Sequence, residues 1–240
     1  MLSIIIPTFN SKRYIPELYA CMKEVLVALP REYEIIFVDD GSVDGTPEIL
    51  KELHQKEEQV RAVRLRRNFG QHTALFVGIC QARGDVIVTM DADLRYDPAD
   101  IPKFLEKIDQ GYDFISGWRV YRNDPFLARI VPSCIINAIF FYVFGIKLHD
   151  YACSFKCFRK NVAEEMINDG TIDRVTAKLG PFSYTEVRVH HFSKQSGPST
   201  YNLFRLINVA GEIFSGFILG KLNVRKRRVD PSRLIKEILD

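Results

Sequence analysis

The apolar run VIVTM ends abruptly in DADLR, which sets Asp91 and Asp93 one residue apart and Arg95 two further on. Neighbouring carboxylates repel each other and take up protons unless a cation joins them. The cation best matched to such oxygen donors is a hard divalent ion, Mg²⁺ or Mn²⁺, bridging to a phosphate-bearing ligand. A second acidic pair, Asp39 and Asp40, closes the run EIIFVDD, and the polar PTFN closes SIIIPTFN. A lone D-x-D is ordinarily a solvated loop or a helix cap. Here that reading must also account for the Asp-Asp pair at a neighbouring strand end. Neither G-x-x-x-x-G-K-[ST] nor G-x-G-x-x-G occurs, which argues against P-loop NTPases and dinucleotide oxidoreductases.

The elements that must position these groups alternate in period. LSIIIP, YEIIFV, VRAVRL and DVIVTM read as buried strands, and DFISGWR as a further one. Between them run helices over Tyr14 to Leu29, Thr46 to Leu53 and Thr73 to Gln81, with another starting near Asp100. Apolar strands alternating with helices predict an α/β fold, a mostly parallel central sheet flanked by helices on both faces. In such a sheet ligands bind beyond the carboxyl ends of the strands, where strand order reverses. Asp39, Asp40, Asp91 and Asp93 are thus expected to converge on one crevice.

The second half is less regular. Residues 126–144 are strongly apolar but interrupted by Arg129, Pro132 and Asn137, which favours a buried or interfacial helix over a spanning one. Residues 203–220 place Leu203, Leu206, Ile207, Ala210, Ile213, Phe214 and Phe217 on one helical stripe, and KLNVRKRR follows with five cations in eight residues. Two readings stand: a helix lying on an anionic membrane surface through residues 203–228, or a core-packing helix with a solvated basic end.

The chain has 240 residues and a net charge of +3. Residues 221–240 carry seven Lys/Arg against three Asp/Glu, so residues 1–220 are close to neutral. That balance argues against a nucleic-acid binder, whose footprint is a basic face on the folded domain. The five cysteines (Cys21, Cys80, Cys134, Cys153, Cys157) form no C-x-x-C pair and read as structural or incidental thiols in a reducing cytosol. MLSIIIPTFN has no basic n-region and is not expected to be a signal peptide. The division predicted is a catalytic domain over 1–200 and an amphipathic, basic segment over 201–240.

Five ordered blocks, SIIIPTFN, EIIFVDDGSVDGT, RRNFGQHTAL, ARGDVIVTMDADLRYDP and DYACSFKCFRK, resemble those of family 2 glycosyltransferases. The likeness is greatest to the branch that charges polyprenyl phosphates and extends from residue 3 to about 220. The resemblance implies a glycosyltransferase A (GT-A, Rossmann-like) fold and C-terminal amphipathic helices. It implies an inverting enzyme that moves a sugar from a UDP- or GDP-linked donor to a dolichyl or undecaprenyl phosphate. By this likeness Pro7, Thr8, Asn10, Asp39 and Asp40 hold the base and ribose. Asp91 and Asp93 meet the metal and diphosphate, Arg119 and Arg129 match basic positions near the phosphates, and Asp150 matches a deep acidic position. A phosphate acceptor is already ionised and needs no strong base. A hydroxyl acceptor needs one, and Asp150 is the candidate, its alternative being a structural cap or ion pair. His72, His190 and His191 lack metal-ligand spacing and read as structural or as supports behind ligand-contacting groups.

Two positions depart from the branch. Many members carry a metal-assisting Gln where Arg95 stands; an arginine cannot ligate a cation but can contact phosphate. In KQSGPSTY, Lys194 keeps one phosphate-contacting charge while Thr200 stands where relatives often have lysine. Bacterial relatives often continue into two transmembrane helices, so either this protein is peripheral at the cytoplasmic membrane face, or another subunit supplies the membrane part, or a longer protein has been cut. The rivals to polyprenyl-phosphate transfer are transfer to a hydroxyl of a glycan or glycolipid, and a non-catalytic nucleotide-sugar-binding subunit.

Overall fold

The computed structural model describes residues 1–120, 147–151, 153–169, 181–192 and 230–240. Arg129, Lys194, Thr200, the apolar segment 126–144 and the amphipathic segment 203–228 lie outside the described residues.

Eight strands form one sheet: β1 (Leu2–Thr8), β2 (Tyr33–Asp39), β3 (Val60–Leu65), β4 (Val86–Thr89), β5 (Phe114–Arg119), β6 (Lys156–Arg159), β7 (Tyr184–Val189) and β8 (Ile235–Leu239). Their order is β7-β5-β6-β4-β1-β2-β3-β8. β1 runs parallel to both β2 and β4, β2 to β3, and β5 to β7. The antiparallel pairs are β4 with β6, β5 with β6, and β3 with β8. The sheet is therefore mostly parallel, as expected, with antiparallel strands β6 and β8 set into it. Strand order reverses beside β1, because the chain proceeds from β1 to β2 and β3 on one side and later returns to β4 on the other.

Every residue of β1 is buried, so its side chains alternate between two cores. Leu2, Ile4 and Ile6 pack with Phe37 and Val88 against Leu18, Met22 and Leu26 of α1 (Ile15–Val27) and Phe104 and Ile108 of α4 (Ile101–Asp109). Leu50 of α2 (Thr46–Lys56) joins this face. Ile5 packs with Ile36, Val38 and Ile87 on the other side. There it meets Ala74 and Val77 of α3 (Gln71–Gln81) and Val162 and Met166 of α5 (Lys160–Asp169). This two-sided burial explains the near-continuous apolar runs in the sequence.

The helices begin where local chemistry allows. α1 and α2 carry a proline in the first turn, where the missing N–H costs nothing. Gly45, at φ 87°, turns the chain into α2. α3 reaches two residues further back than predicted, to Gln71. It lies close on the sheet at Gly78, where an added Cβ would sit 2.4 Å from Ile5 Cγ2.

The end of the chain departs from expectation. PSRLIKEILD reads as an amphipathic end, but Ile235–Leu239 pairs antiparallel with β3, Ile238 opposite Val63 and Leu239 opposite Ala62. The edge of β3 offers an unpaired hydrogen-bonding ladder, and covering it outweighs helical propensity over so short a stretch. The sheet thus takes a strand from beyond residue 200, where the sequence reading ended the catalytic domain. Among the described residues no helix is long and apolar enough to cross a membrane.

Gly78→Ala is expected to lower stability by about 1–3 kcal/mol through overpacking against Ile5. Urea unfolding checks it: the midpoint should fall with an unchanged slope.

Candidate active site

The carboxyl ends of β1, β2 and β4 meet where strand order reverses. Thr8 and Asp39 are opposite each other in register, and the Asp40 amide donates to the Thr8 carbonyl at 2.8 Å. Pro7 and Thr8 are buried in β1, and the Thr8 hydroxyl donates to the Val38 carbonyl at 3.2 Å. Asn10 adopts φ 50°; its amide donates to Ser42 Oγ at 2.8 Å and its Oδ1 accepts from the Val43 amide at 3.1 Å. Thr8 and Asn10 therefore tie the first two strand ends together and shape the loop over them.

The two aspartates of the pair have different surroundings. Asp40 accepts from the Phe69 and Gly70 amides at 2.7 and 2.8 Å, so both oxygens brace the loop that opens α3. Asp39 accepts from the Ser42 amide at 3.1 Å through Oδ1. Its Oδ2 is buried without a hydrogen bond, with Arg64 Nε at 3.4 Å as its ionic neighbour. Burial pushes both carboxyls above their usual range, against the opposing pull of these donors. Gly41, between this pair and Ser42, has φ 73°, and a Cβ there would strike the Arg67 backbone at 2.5 Å.

The same loop reaches the second acidic group. Gln71 Nε2 donates to Asp91 Oδ1 at 2.5 Å, so residues 69–71 connect Asp40 to Asp91. This link places the two acidic clusters on one crevice, as expected. Asp91 Oδ2 accepts from Ser154 Oγ at 2.6 Å and lies 3.5 Å from Arg95 Nη2. Arg95 Nε donates to Asp93 Oδ2 at 2.6 Å and the Arg95 amide to Asp93 Oδ1 at 3.3 Å. Leu94 between them holds φ 59°, a left-handed conformation that a leucine adopts at a cost and that is met mainly at functional turns. Burial and the Asp93 charge raise the Asp91 carboxyl, while Ser154, Arg95 and Arg119 pull it back. Arg95 is held more firmly protonated: burial opposes its charge, but Asp93 and Asp91 outweigh burial.

Asp150 is fully buried and takes a two-pronged contact from Arg119, Nε to Oδ2 at 2.6 Å and Nη2 to Oδ1 at 2.8 Å. The pair fits the ion-pair alternative of the sequence reading. As a base, Asp150 would first have to surrender Arg119. Burial disfavours the Arg119 charge, yet its hydrogen bonds to Asp150 raise its pKa strongly.

Among the described residues no three His, Cys, Asp or Glu side chains gather as a closed metal site. Asp91 and Asp93 set hard oxygen donors on one turn, paired here with Arg95, of the type that would hold Mg²⁺ or Mn²⁺. The donor set fits such an ion.

The sequence profile described as Glycosyl transferase family 2 matches residues 3–167. The chain belongs to this family. An undecaprenyl-phosphate 4-deoxy-4-formamido-L-arabinose transferase from Pseudomonas aeruginosa is 35% identical over 87% of this chain and 62% of its own length. The protein of the same name from Yersinia enterocolitica is 35% identical over 89% and 66%. The chain thus spans less than two thirds of these relatives. Among solved structures, glucosyl-3-phosphoglycerate synthase from Mycobacterium tuberculosis, in complex with Mn²⁺, UDP and phosphoglyceric acid, superposes with a TM-score of 0.64 at 15% identity, covering 91% of this chain and 77% of that one. S. aureus TarS 1-349 gives 0.59 at 17%, covering 96% and 67%. These likenesses show the GT-A fold that the sequence implies.

Within this family 2 crevice, several residues escaped sequence reading. Ser154 and Gln71 both hold Asp91, and each sits inside a block already quoted for the family likeness. Phe9, between Thr8 and Asn10, is 47% exposed, and a large exposed aromatic beside a ligand crevice is a signal by itself. His149, next to Asp150, stacks on Trp118 at 4.2 Å and bonds Glu186 at 2.7 Å. His190 packs on Asp100 through its amide at 2.6 Å, a structural role as expected. The phenylalanines Phe155 and Phe158 are core.

Asp40→Asn is expected to cost about 1–3 kcal/mol, because one backbone amide loses its acceptor and faces an NH₂ group. Asp39→Asn should cost less while weakening nucleotide binding. Denaturation midpoints beside calorimetric UDP and GDP titrations separate the two roles; equal stability losses would refute the distinction.

Proposed function

We propose that this chain transfers a sugar from a UDP- or GDP-linked donor to a polyprenyl phosphate, with Mg²⁺ or Mn²⁺ held by Asp91 and Asp93. The observation that carries this reading is the pairing of an acidic turn at the sheet edge with a deep carboxylate already committed to an arginine. Asp150 is occupied by Arg119, which disfavours it as the base a hydroxyl acceptor needs and favours an acceptor that brings its own negative charge. The similarity to undecaprenyl-phosphate sugar transferases over most of the chain supports the same substrate class.

The metal supplies neutralisation of the diphosphate charge that develops as the leaving group departs. The chain's residues supply the rest. Asp39 presents its unbonded Oδ2 to an imide or amide N–H, a donor that uracil and guanine share. Phe9 offers a face on which a base can stack. Arg119, fixed by Asp150, supplies a stationary positive charge in the site, and preorganised charge costs no reorganisation during reaction. Arg129 and Lys194 are assigned to phosphate contact by the family likeness. Residues 203–228 are assigned to the anionic membrane surface at the cytoplasmic side, where the lipid acceptor resides, alone or beside a membrane subunit.

Several UDP- and GDP-sugars offered with a short polyprenyl phosphate, with and without Mn²⁺, should yield one metal-dependent lipid-linked sugar detectable by mass spectrometry. Asp93→Asn should abolish it with the fold intact. Full turnover by that variant at saturating metal would remove Asp93 from its role, and equal rates on the unphosphorylated polyprenol would move the acceptor to a hydroxyl.

Binding of the full chain to anionic vesicles should exceed binding to neutral ones and weaken as salt rises through the range where screening shortens to about 10 Å or less. Equal sedimentation with both vesicle types would remove the electrostatic assignment of 203–228.

A further inference from the structure

The DADLR turn is fully partnered by protein groups. Asp93 accepts from Arg95 through both oxygens, from the amide at 3.3 Å and from Nε at 2.6 Å. Asp91 accepts from Gln71 at one oxygen and Ser154 at the other, each within 2.6 Å, and Arg95 Nη2 stands 3.5 Å from the second. One guanidinium therefore spans the two carboxylates assigned to the divalent ion. Its backbone is fixed, since the Arg95 carbonyl accepts from the Phe192 amide at 2.9 Å and Tyr96 bridges His191. Its side chain is about a third exposed, at 32%, so it is not locked into the interior.

A divalent ion and a guanidinium cannot share these oxygens without strong repulsion at a few ångströms. The ion must displace the arginine, and a displaced cation needs an anion in place of the carboxylates. A diphosphate supplies one, in a geometry that the forked donors of arginine match. We propose, building on the metal role assigned to Asp91 and Asp93, that Arg95 is a resident counter-ion of this turn, and that the divalent ion enters only together with a nucleoside diphosphate that takes over the guanidinium. Metal and nucleotide are then coupled through one side chain. The coupling is reciprocal: each raises the affinity for the other by the same factor. The nucleotide-free protein is kept from binding metal, and the metal-loaded crevice forms with the donor in place.

Binding of Mn²⁺ to the full chain, read from the electron paramagnetic resonance of unbound Mn²⁺, tests this without turnover. Wild type, Arg95→Ala, Arg95→Lys and Arg95→Gln are compared with Mn²⁺ alone and with added UDP or GDP. Wild type should bind Mn²⁺ alone weakly and gain about tenfold or more with the nucleotide that fits. Arg95→Ala should bind Mn²⁺ alone about tenfold more tightly than wild type, the size expected for removing one nearby positive charge in a water-accessible site. Its gain from nucleotide should shrink, and Arg95→Lys should stay near wild type. In thermal melts Arg95→Ala should unfold earlier than wild type without metal, and Mn²⁺ alone should restore it. Equal Mn²⁺ affinity of wild type and Arg95→Ala would overturn the counter-ion role while leaving Asp91 and Asp93 as ligands. Tighter binding by Arg95→Gln but not by Arg95→Ala would also overturn it, because the gain would then come from an added ligand. No Mn²⁺ binding by any variant, with or without nucleotide, would overturn the metal reading and the counter-ion role together.

Discussion

Carboxylates gathered at the edge of a buried sheet lose hydration and repel one another, and the crevice is organised around that cost. Each is answered differently. Asp40 is stabilised by two backbone amides, a solution with no formal positive charge that locks a loop in return. Asp91 and Asp93 share one arginine on their own turn. Asp150, fully buried, is paired with Arg119 of β5. Asp39 alone keeps an oxygen without a hydrogen bond. Arg64 Nε, 3.4 Å from that oxygen, offsets part of the cost as an ionic neighbour and leaves the acceptor free of a hydrogen bond. The raised carboxyls of Asp39, Asp40 and Asp91 express the same cost. Because their folded pKa values lie above the unfolded ones, the fold binds more protons than the unfolded chain in the window just above the ordinary carboxylate value. Their contribution to stability is present below that value and is lost as pH rises through the raised ones. As they ionise through that window the crevice gains charge at the expense of stability, which a cationic ligand can return.

Position follows from the sheet. Because β1 is central and parallel to both neighbours, the ends of β2 and β4 flank its carboxyl end, and the crevice falls at the reversal of strand order. Among the described residues the two non-glycine residues with positive φ, Asn10 and Leu94, sit on two of these three strand ends. Asn10 is a residue type that tolerates that conformation; Leu94 is not. Leu94 packs against the core, which is what holds the turn in a conformation its sequence does not favour. That conformation sets Asp93 and Arg95 together, so the acidic turn is anchored from beneath by apolar packing and not by its own hydrogen bonds alone.

Local chemistry was legible in the sequence, and pairing across the chain was not. The parallel core, the helices and the acidic strand ends could be read because burial and period are written in consecutive residues. Arg95 stood out in the sequence only as a departure from the glutamine that many relatives carry; its pairing with Asp93 and Asp91, two and four residues away, was not read. The role of Asp40 was not legible: its partners Phe69 and Gly70 come 29 and 30 residues later, and an amide leaves no mark in a sequence. Asp150 was open between base and ion pair for the same reason, its partner Arg119 lying 31 residues back. β6 and β7 are short and mixed in polarity, so neither period stood out. Ile235–Leu239 fits a helical stripe and an alternating strand equally well, and only the exposed edge of β3 decides between them.

The opposite pole of the sheet shows how the same charge problem is solved when no ligand is needed. At the amino ends of β1, β2 and β3, Ser3 donates to Glu34 at 2.5 Å and Arg61 pairs with Glu34 at 2.8 Å, all three residues buried. Arg61 also donates to the Gln81 carbonyl at 2.8 Å and pairs with Asp240, which Arg83 reaches at 2.7 Å. The amides of Arg83 and Gly84 complete Glu34 and Ser3 at 2.7 and 2.8 Å. Every buried polar group in this cluster has a protein partner, as a structural network requires. It also joins β8 to the first three strands through a side chain just past its end. The crevice differs in one respect: under the proposed reading a metal would replace Arg95 on its carboxylates and a diphosphate would replace those carboxylates on Arg95, whose side chain is about a third exposed. A closed network stabilises one arrangement. An exchangeable one allows protein partners to give way to ligand partners, which is the property a transferase crevice needs.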